Sequence, residues 1–408
     1  MEISTLKIGI IGPCPPPHGG VTRIIENHLR FWEGLPIETW LIPGEFPTKP
    51  EIYSRTRLVE RLERVTLMEG IMAFMRVGWW FGLCRWSSFK SLLALDILVR
   101  NAIKQYDLDI IYAHHTSATG LIAVTEAHRA GIPVVVVAYG ETWLADNSSK
   151  RWRRAIRYSV KHADWLISTS EHCRKGAISR GGQPERSSVI YAGIDLERFH
   201  PGIDGRSFRN QYDIPGGAVV ISILGLTLRR KLDTFLDALQ SLLENLSVYV
   251  LIGGTGSDRK YLEAQVKAIP GGRVKVMGFV PEKDLPGFYA ATDILVVSPR
   301  TVMECMGQSM KEAMSCGRAV VGARLGGVPE ALGDENCGLM FEPENPVDLN
   351  RVLNQLIADP ELREEFGLNG RRVAERRFDA KVSAQQTYDL LLTRYNNHSG
   401  QHSGISKT

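Results

Sequence analysis

Cysteine is scarce. The 408-residue chain has six, at Cys14, Cys84, Cys173, Cys305, Cys316 and Cys337, and no two form a CxxC pair. A zinc knuckle and a disulfide-framed scaffold are excluded, and no metal-ligating set is read; sparse thiols fit a reducing compartment. Long apolar runs are also missing. A membrane span needs about 20 mostly apolar residues, and the best stretch, 71–84, is interrupted by Arg76 and followed by Arg85. The first six residues lack a basic segment leading into a long apolar one, so they do not read as a signal peptide. Nor is there a dominant charge. Lys plus Arg number 49 against 45 acids, a net charge of +4, which does not call for nucleic acid but admits phosphate-rich ligands or an anionic membrane surface.

What is present is ordinary globular material, 44% hydrophobic and 23% charged, at a length that suits two domains. Apolar runs at 7–12, 109–112, 134–137, 165–168 and 189–191 read as buried strands. Helical spacing at 21–32, 119–130 and 150–162 lies between them. After a Pro/Gly-rich break at 199–217 the alternation restarts. Strands are expected at 219–224, 248–252, 274–277, 294–297 and 319–321, and helices at 232–243, 261–267 and 308–315. The region 347–395 is helical by pattern. Alternating strands and helices imply parallel sheets with crossovers. The fold class is therefore α/β, two doubly wound domains facing a cleft, with residues 1–198 and 199–378 as the domains. Residues 379–395 form a final helix, and 396–408 a polar, disordered tail.

In open parallel sheets, ligands bind at the carboxyl ends of the strands. Gly19-Gly20 follows the first strand and precedes a helix. Gly253-Gly254-Thr255-Gly256 follows the strand at 248–252. Each suits either a plain turn or a backbone approach to an anion. Arg230 and Lys231 follow the strand at 219–224, where cations can neutralise a diphosphate. Glu304 and Glu312 lie eight positions apart, in a loop and the next helix, and a carboxylate accepts from two neighbouring hydroxyls of a sugar. Met306 and Gly307 lie between them, and Gly307 leaves room for backbone approach. His114, His115 and Tyr139 follow strands of the first domain and can face the cleft. Two segments suit a headgroup interface as well as a packed surface: 68–100, which mixes Trp79, Trp80, Phe81, Trp86 and Phe89 with basic residues, and the basic amphipathic stretch 150–161.

Taken together, these residues resemble a family. Glu304, Glu312, Ala313, Met314, Gly317 and the run Gly326-Gly327-Val328-Pro329-Glu330 are similar to the retaining, family 4 (group 1) glycosyltransferases of GT-B architecture. Lys231, Gly253, Gly256, Gly278 and Asp293 fit the same pattern, as do Gly19-Gly20, Ala163-Asp164, Ser170, Gly193-Ile194-Asp195, Phe199 and Pro201. The likeness spans nearly the whole chain, is densest over 219–345 and is thin between 40 and 105.

The resemblance implies a UDP- or GDP-linked sugar donor held mainly by the second domain, with the sugar transferred to a glycan or lipid-linked acceptor. Glu312 would receive the ribose hydroxyls. Glu304 with Met306 and Gly307 would hold the sugar, and Gly253 and Gly254 would lie against the donor. Lys231 and Arg230 would stabilise the leaving diphosphate, approached also by Gly19 and Gly20. Neither metal nor cofactor is implied, and the enzyme would be cytoplasmic, peripheral at the inner membrane face. Relatives often carry an arginine where this chain has Leu226, and a histidine where it has Tyr139. Those departures keep a second reading open, a catalytically weak subunit that binds nucleotide or membrane. A nucleotide-sugar epimerase is disfavoured by the Glu304–Glu312 pattern.

Overall fold

The computed structural model describes residues 5–14, 19–44, 56–59, 67–81, 86–143, 150–225, 229–254, 259–267, 269, 271–333 and 335–403, with the backbone alone at 67, 76–81, 86–89, 229–232, 240 and 401–403. The chain divides into two compact units, Met1–Gly193 with Ala380–Thr408, and Ile194–Asp379. The break thus falls five residues before the expected one.

The first unit carries the strands β1 (Leu6–Gly12), β2 (Ile37–Pro43), β3 (Thr56–Leu58), β4 (Ile110–His114), β5 (Val134–Ala138), β6 (Trp165–Ser168) and β7 (Ser187–Val189). They form one sheet in the order β3-β2-β1-β4-β5-β6-β7, and the paired strands run parallel. Its helices are α1 (Gly20–Phe31), α2 (Leu67–Phe81), α3 (Trp86–Tyr106), α4 (Ala118–Ala130), α5 (Lys150–His162) and α6 (Glu171–Ser179). Covered strands need no polar face, and every residue of β4 and β5 is buried.

The second unit repeats the plan with α7 (Arg206–Gln211), β8 (Val219–Leu224), α8 (Arg229–Leu242), β9 (Val248–Gly253), α9 (Arg259–Lys267), β10 (Val274–Gly278), α10 (Leu285–Ala291), β11 (Ile294–Val297), α11 (Gln308–Ser315), β12 (Ala319–Ala323), α12 (Val328–Leu332), β13 (Gly338–Phe341), α13 (Pro346–Ala358) and α14 (Pro360–Arg377). Its sheet order is β10-β9-β8-β11-β12-β13. In both sheets the order reverses once, between β1 and β4 and between β8 and β11. A reversal of this kind opens a ligand crevice at the strands' carboxyl ends.

The last helix, α15 (Ala380–Ser403), belongs to the first unit. It packs on α1, where Trp32 Nε1 donates to the Ala384 carbonyl at 2.8 Å. Gly193 is required here, since a Cβ on it would lie 2.3 Å from Ala380 Cα. The expectation of a disordered tail over 396–408 is corrected for 396–403, and 404–408 lie outside the described residues. α15 continues through Ser403, and His398 Nε2 lies 2.9 Å from the Gly131 carbonyl oxygen. Three strands escape the sequence pattern: β2 and β3, in the region of thin resemblance, and β13, only four residues long.

One device sets strand register in both units. Asp109, Asp164 and Asp293 each precede a strand. Each donates its own N–H to, and accepts the N–H of, a single residue on the adjacent strand. The carboxylates take Lys7 N at 2.8 Å, Val134 N at 2.9 Å and Val220 N at 2.7 Å. The return bonds to the same residues' carbonyls are 2.9, 3.1 and 2.9 Å. Asp164 also faces His128 Nε2 at 3.2 Å. Burial alone would raise its pKa, but His128 and the Val134 N–H hold it below the ordinary 3.8.

A carboxyl whose pKa is depressed on folding contributes stability above its unfolded value and loses it as pH falls through the folded one. Stability should therefore drop as pH falls below 3.8. Asp164→Asn should cost about 1 kcal/mol at neutral pH and show a shallower acid loss. Urea melts of the two proteins across pH 2.5–7 check this; parallel pH curves would refute it.

Candidate functional site

The crevice end of the second unit lies at the carboxyl ends of β8, β9, β11 and β12. The loop after β11 carries Glu304 and runs through Met306 and Gly307 into α11. Gly307 adopts φ +71°, a left-handed value that costs glycine little, and it caps α11 without a side chain. A Cβ on Gly307 would lie 3.7 Å from Glu304 Oε1, so the Glu304 carboxylate sits beside the start of that helix. Met306 is 1% exposed. Its side chain fills the core, so the expected donor contact there reduces to backbone.

This loop is clamped by the next. Gly327 N donates to the Glu304 carbonyl at 2.8 Å. A Cβ on Gly327 would fall 1.3 Å from the Cys305 carbonyl oxygen, and one on Gly326 would fall 2.4 Å from the Glu304 oxygen. The Gly-Gly pair is therefore a steric requirement of the Glu304 loop.

On α11, Glu312 is buried and its Oε2 accepts from the Tyr289 hydroxyl at 2.6 Å. Its neighbour Lys311 is also buried, with Nζ 5.6 Å from the Phe378 ring centre. Burial lowers the Lys311 pKa to about 8, against the opposing pull of Glu312, Cys305 and Glu304. Sequence reading missed Tyr289 and Lys311. Tyr289 sits on a different helix from its partner, and a lysine inside a helix reads as solvated.

At the end of β8, α8 opens with Arg229-Arg230-Lys231 and has no acid in its first turn. The side chains of Arg230 and Lys231 lie outside the described residues, as do Leu226, Thr255 and Gly256. Their backbone placement is nonetheless informative. Cations at a helix N-terminus oppose its dipole by about 0.3–1 kcal/mol each, so this turn gains from an anion. Gly253 is a packing requirement, because a Cβ would meet Leu224 Cδ1 at 2.7 Å. The Gly254 N–H is spent on the Gly278 carbonyl at 2.6 Å, which leaves only its open backbone (φ +126°) to meet a ligand.

In the first unit, Gly20 starts α1, and Gly19 N donates to Thr22 Oγ1 at 2.7 Å. His114 is completely buried and its Nδ1 lies 2.7 Å from the Tyr139 hydroxyl. The two side chains are committed to each other instead of facing a surface. Behind them His28 stacks on Trp32 at 5.2 Å, with a pKa lowered to about 3 by burial. His115, by contrast, is 37% exposed at its side chain and faces Glu141, a residue the sequence reading did not single out.

The clamp gives a direct test. Gly327→Ala should displace the Glu304 loop, lower stability by about 3 kcal/mol and abolish activity. Gly217→Ala, at an exposed site where a Cβ would meet nothing within 4 Å, supplies the comparison. Thermal melts with activity at a permissive temperature measure both effects; a Gly327→Ala protein as active as the parent would refute the clamp.

Comparison with known proteins adds to this geometry. The family model for glycosyl transferases group 1 matches residues 205–373, and that for glycosyltransferase family 4 matches residues 18–198. A D-inositol 3-phosphate glycosyltransferase of Catenulispora acidiphila is 31% identical, over 69% of this chain and 70% of its own. A GDP-mannose-dependent phosphatidylinositol monomannoside mannosyltransferase of Mycolicibacterium smegmatis is 26% identical, over 69% of this chain and 72% of its own. Among solved structures, Anabaena HepE in complex with UDP-glucose superposes with a TM-score of 0.75 at 20% identity, covering 95% of this chain and 100% of HepE, a likeness of fold. With both units matched and one relative above 30% identity, this chain belongs to the group 1, family 4 glycosyltransferases and is an enzyme.

Proposed function

We propose that the chain transfers a sugar, with retention of anomeric configuration, from a UDP- or GDP-linked donor to a glycan or lipid-linked acceptor. The observation that carries the reading is the charge arrangement at the switch point of the second unit. Three basic residues, Arg229, Arg230 and Lys231, open α8 after β8, while the loop after the adjacent strand β11 presents Glu304 and leads to Glu312. A diphosphate meets the first group and sugar hydroxyls meet the second. Arg230 and Lys231 stabilise the leaving diphosphate, Glu304 holds the transferred sugar, and Glu312, oriented by Tyr289, takes the ribose. The chemistry is leaving-group charge stabilisation together with orientation. HepE, crystallised with UDP-glucose, and the GDP-mannose-dependent relative illustrate the two donor bases. The Gly19–Gly20 turn at the head of α1 belongs to the same reading as an anion contact. The reading includes no metal.

An anionic membrane surface is part of the proposal. α2 leaves Met68, Ile71, Met72, Phe74 and Met75 exposed and packs beside α5. α5 presents Lys150, Arg151, Arg154, Arg157 and Lys161 to solvent. Apolar side chains next to cations suit a headgroup layer. Among the described residues, no helix is long and apolar enough to cross a membrane.

The test begins with thermal shifts in UDP, GDP, ADP and their sugar conjugates. One nucleotide series should raise the melting temperature by mass action, and Glu312→Gln should lose that shift while folding normally. Lys231→Ala and Glu304→Ala should lower kcat by at least about a hundredfold. Product NMR should show the donor's anomeric configuration, and turnover should persist in EDTA. Absence of any nucleotide shift, or full turnover in both variants, overturns the assignment.

A further inference from the structure

His115 is the first residue past β4, and its backbone is held unusually. Its φ is +78°, a left-handed value that is strained for a residue with a side chain. Three contacts hold it there. Its N–H donates to the Val137 carbonyl at 3.1 Å. Its own carbonyl oxygen lies where α4 comes so close that a Cβ on Gly120 would be 2.7 Å away. Its ring lies 4.9 Å from that of Tyr139.

The strain aims the imidazole at a buried carboxylate. Glu141, just past the end of β5, is 8% exposed. One oxygen accepts Thr116 N at 2.7 Å and Thr116 Oγ1 at 2.9 Å. The other faces His115 Nδ1 at 3.6 Å, an ion-pair distance longer than a closed hydrogen bond. Burial by itself would raise the Glu141 pKa, yet His115 and the Thr116 N–H hold it below the ordinary 4.5. A carboxylate is an acceptor only, so it selects the tautomer with the proton on Nδ1. That leaves Nε2, on the half-exposed ring, as an acceptor.

We propose that His115 and Glu141 form a sugar-binding pair in the first unit: His115 Nε2 accepts a hydrogen bond from a ring hydroxyl of the acceptor, and Glu141 is the positioning residue that fixes its tautomer. The assignment depends on the glycosyltransferase reading above for its ligand class. The pair is built as a site needs to be, with a ligand-facing group, a buried orienting group and a third residue holding the second. A buried carboxylate is costly unless its oxygens are matched; Thr116 satisfies one oxygen of Glu141, and the other is directed at His115.

The test uses the full-length protein with selectively 15N,13C-labelled histidine. His115→Asn assigns the His115 signals by their loss, and asparagine tolerates the left-handed backbone. The probes are methyl α-D-mannopyranoside, methyl α-D-glucopyranoside and octyl β-D-glucopyranoside. In the wild type, His115 should show the Nδ1–H tautomer, and its resonances should move with at least one probe. Glu141→Gln, which preserves shape, should release the tautomer and weaken that titration about tenfold. With any glycoside that the enzyme glycosylates, His115→Asn and Glu141→Gln should each raise the acceptor KM about ten- to hundredfold. kcat at saturating acceptor should change far less than KM, and the double variant should be no worse than His115→Asn alone. Immobile His115 signals with all three glycosides overturn the proposal. So does an equal effect of Glu141→Gln in the presence and absence of His115, which would make Glu141 a structural anchor only. Donor turnover without glycoside shifts defeats this inference alone; glycoside shifts without any nucleotide-sugar turnover defeat the transferase reading and leave the site.

Discussion

Strand register is the constraint on which the other features depend. Parallel strands buried on both faces offer almost no side-chain pattern to choose between pairings, since a shift of one or two residues still presents valine or isoleucine. In β5, four of five residues are valine. Three aspartates remove the ambiguity by closing a two-bond ring on one residue of the neighbouring strand, at Lys7, Val134 and Val220. A slipped register would bury a carboxylate without its N–H partner, at about 1–3 kcal/mol or more for a charged group. Two of these rings tie β1 to β4 and β8 to β11, the pairs that flank each switch point. Fixing the amino ends of those strands also fixes which residues emerge at the carboxyl ends, where His115 and Glu304 lie.

The second constraint acts at the carboxyl ends. A loop carrying a functional carboxylate must be held without burying the carboxylate. The clamp at Gly326–Gly327 does this through backbone alone. The absent Cβ atoms admit the Glu304 and Cys305 carbonyls, and the Gly327 N–H returns a bond. No side chain of the clamp competes for the space above Glu304. The same logic governs Gly120 under His115, where α4 comes close enough to fix a strained turn. In both units a glycine on a following element sets the position of a polar residue on a preceding loop.

Much of this was legible before the structure. The strands at 165–168, 219–224 and 294–297 and the helices at 150–162 and 308–315 follow from composition and period, because burial and amphipathicity are local signals. The pattern Glu304 to Glu312 was visible as spacing, and the doubly wound class as alternation. What the sequence hid was pairing at a distance. Glu141 stands in plain view three residues past β5, but its worth comes from Thr116 and His115, 25 and 26 positions upstream. Tyr289 acquires its role from Glu312, 23 positions away. The tail from 396 reads as disordered by polarity, yet α15 holds it because the helix is already docked on α1 before the polar segment begins. His114 and Tyr139 read as residues that can face the cleft, and only the fold shows that His114 Nδ1 and the Tyr139 hydroxyl are directed at each other.

Electrostatics then separates the two units by task. The second unit accumulates unfavourable charge on purpose: like charges in the first turn of α8, a desolvated ammonium at Lys311 with a pKa near 8, and carboxylates at Glu304 and Glu312. A stability-optimised helix would begin with acids; α8 begins with three bases, so its folding free energy is lower without an anion than with one. Under the proposed function, a bound diphosphate would offset that cost, since it would meet the same charges that oppose the dipole. The first unit carries its cost differently at its carboxyl edge, in the left-handed His115 backbone and in the buried His114 Nε2 and Glu141 Oε2, which make no hydrogen bond. Among the described residues there, His28 and His114 are held uncharged by burial, and Glu141 is held ionised beside Thr116 and His115. Such an edge discriminates by hydrogen-bond geometry and not by charge, which suits uncharged hydroxyls. The units therefore differ in how each carries its cost at the strand ends, the second as like charge opening α8 and the first as backbone strain with unmatched buried polar atoms beside β4 and β5.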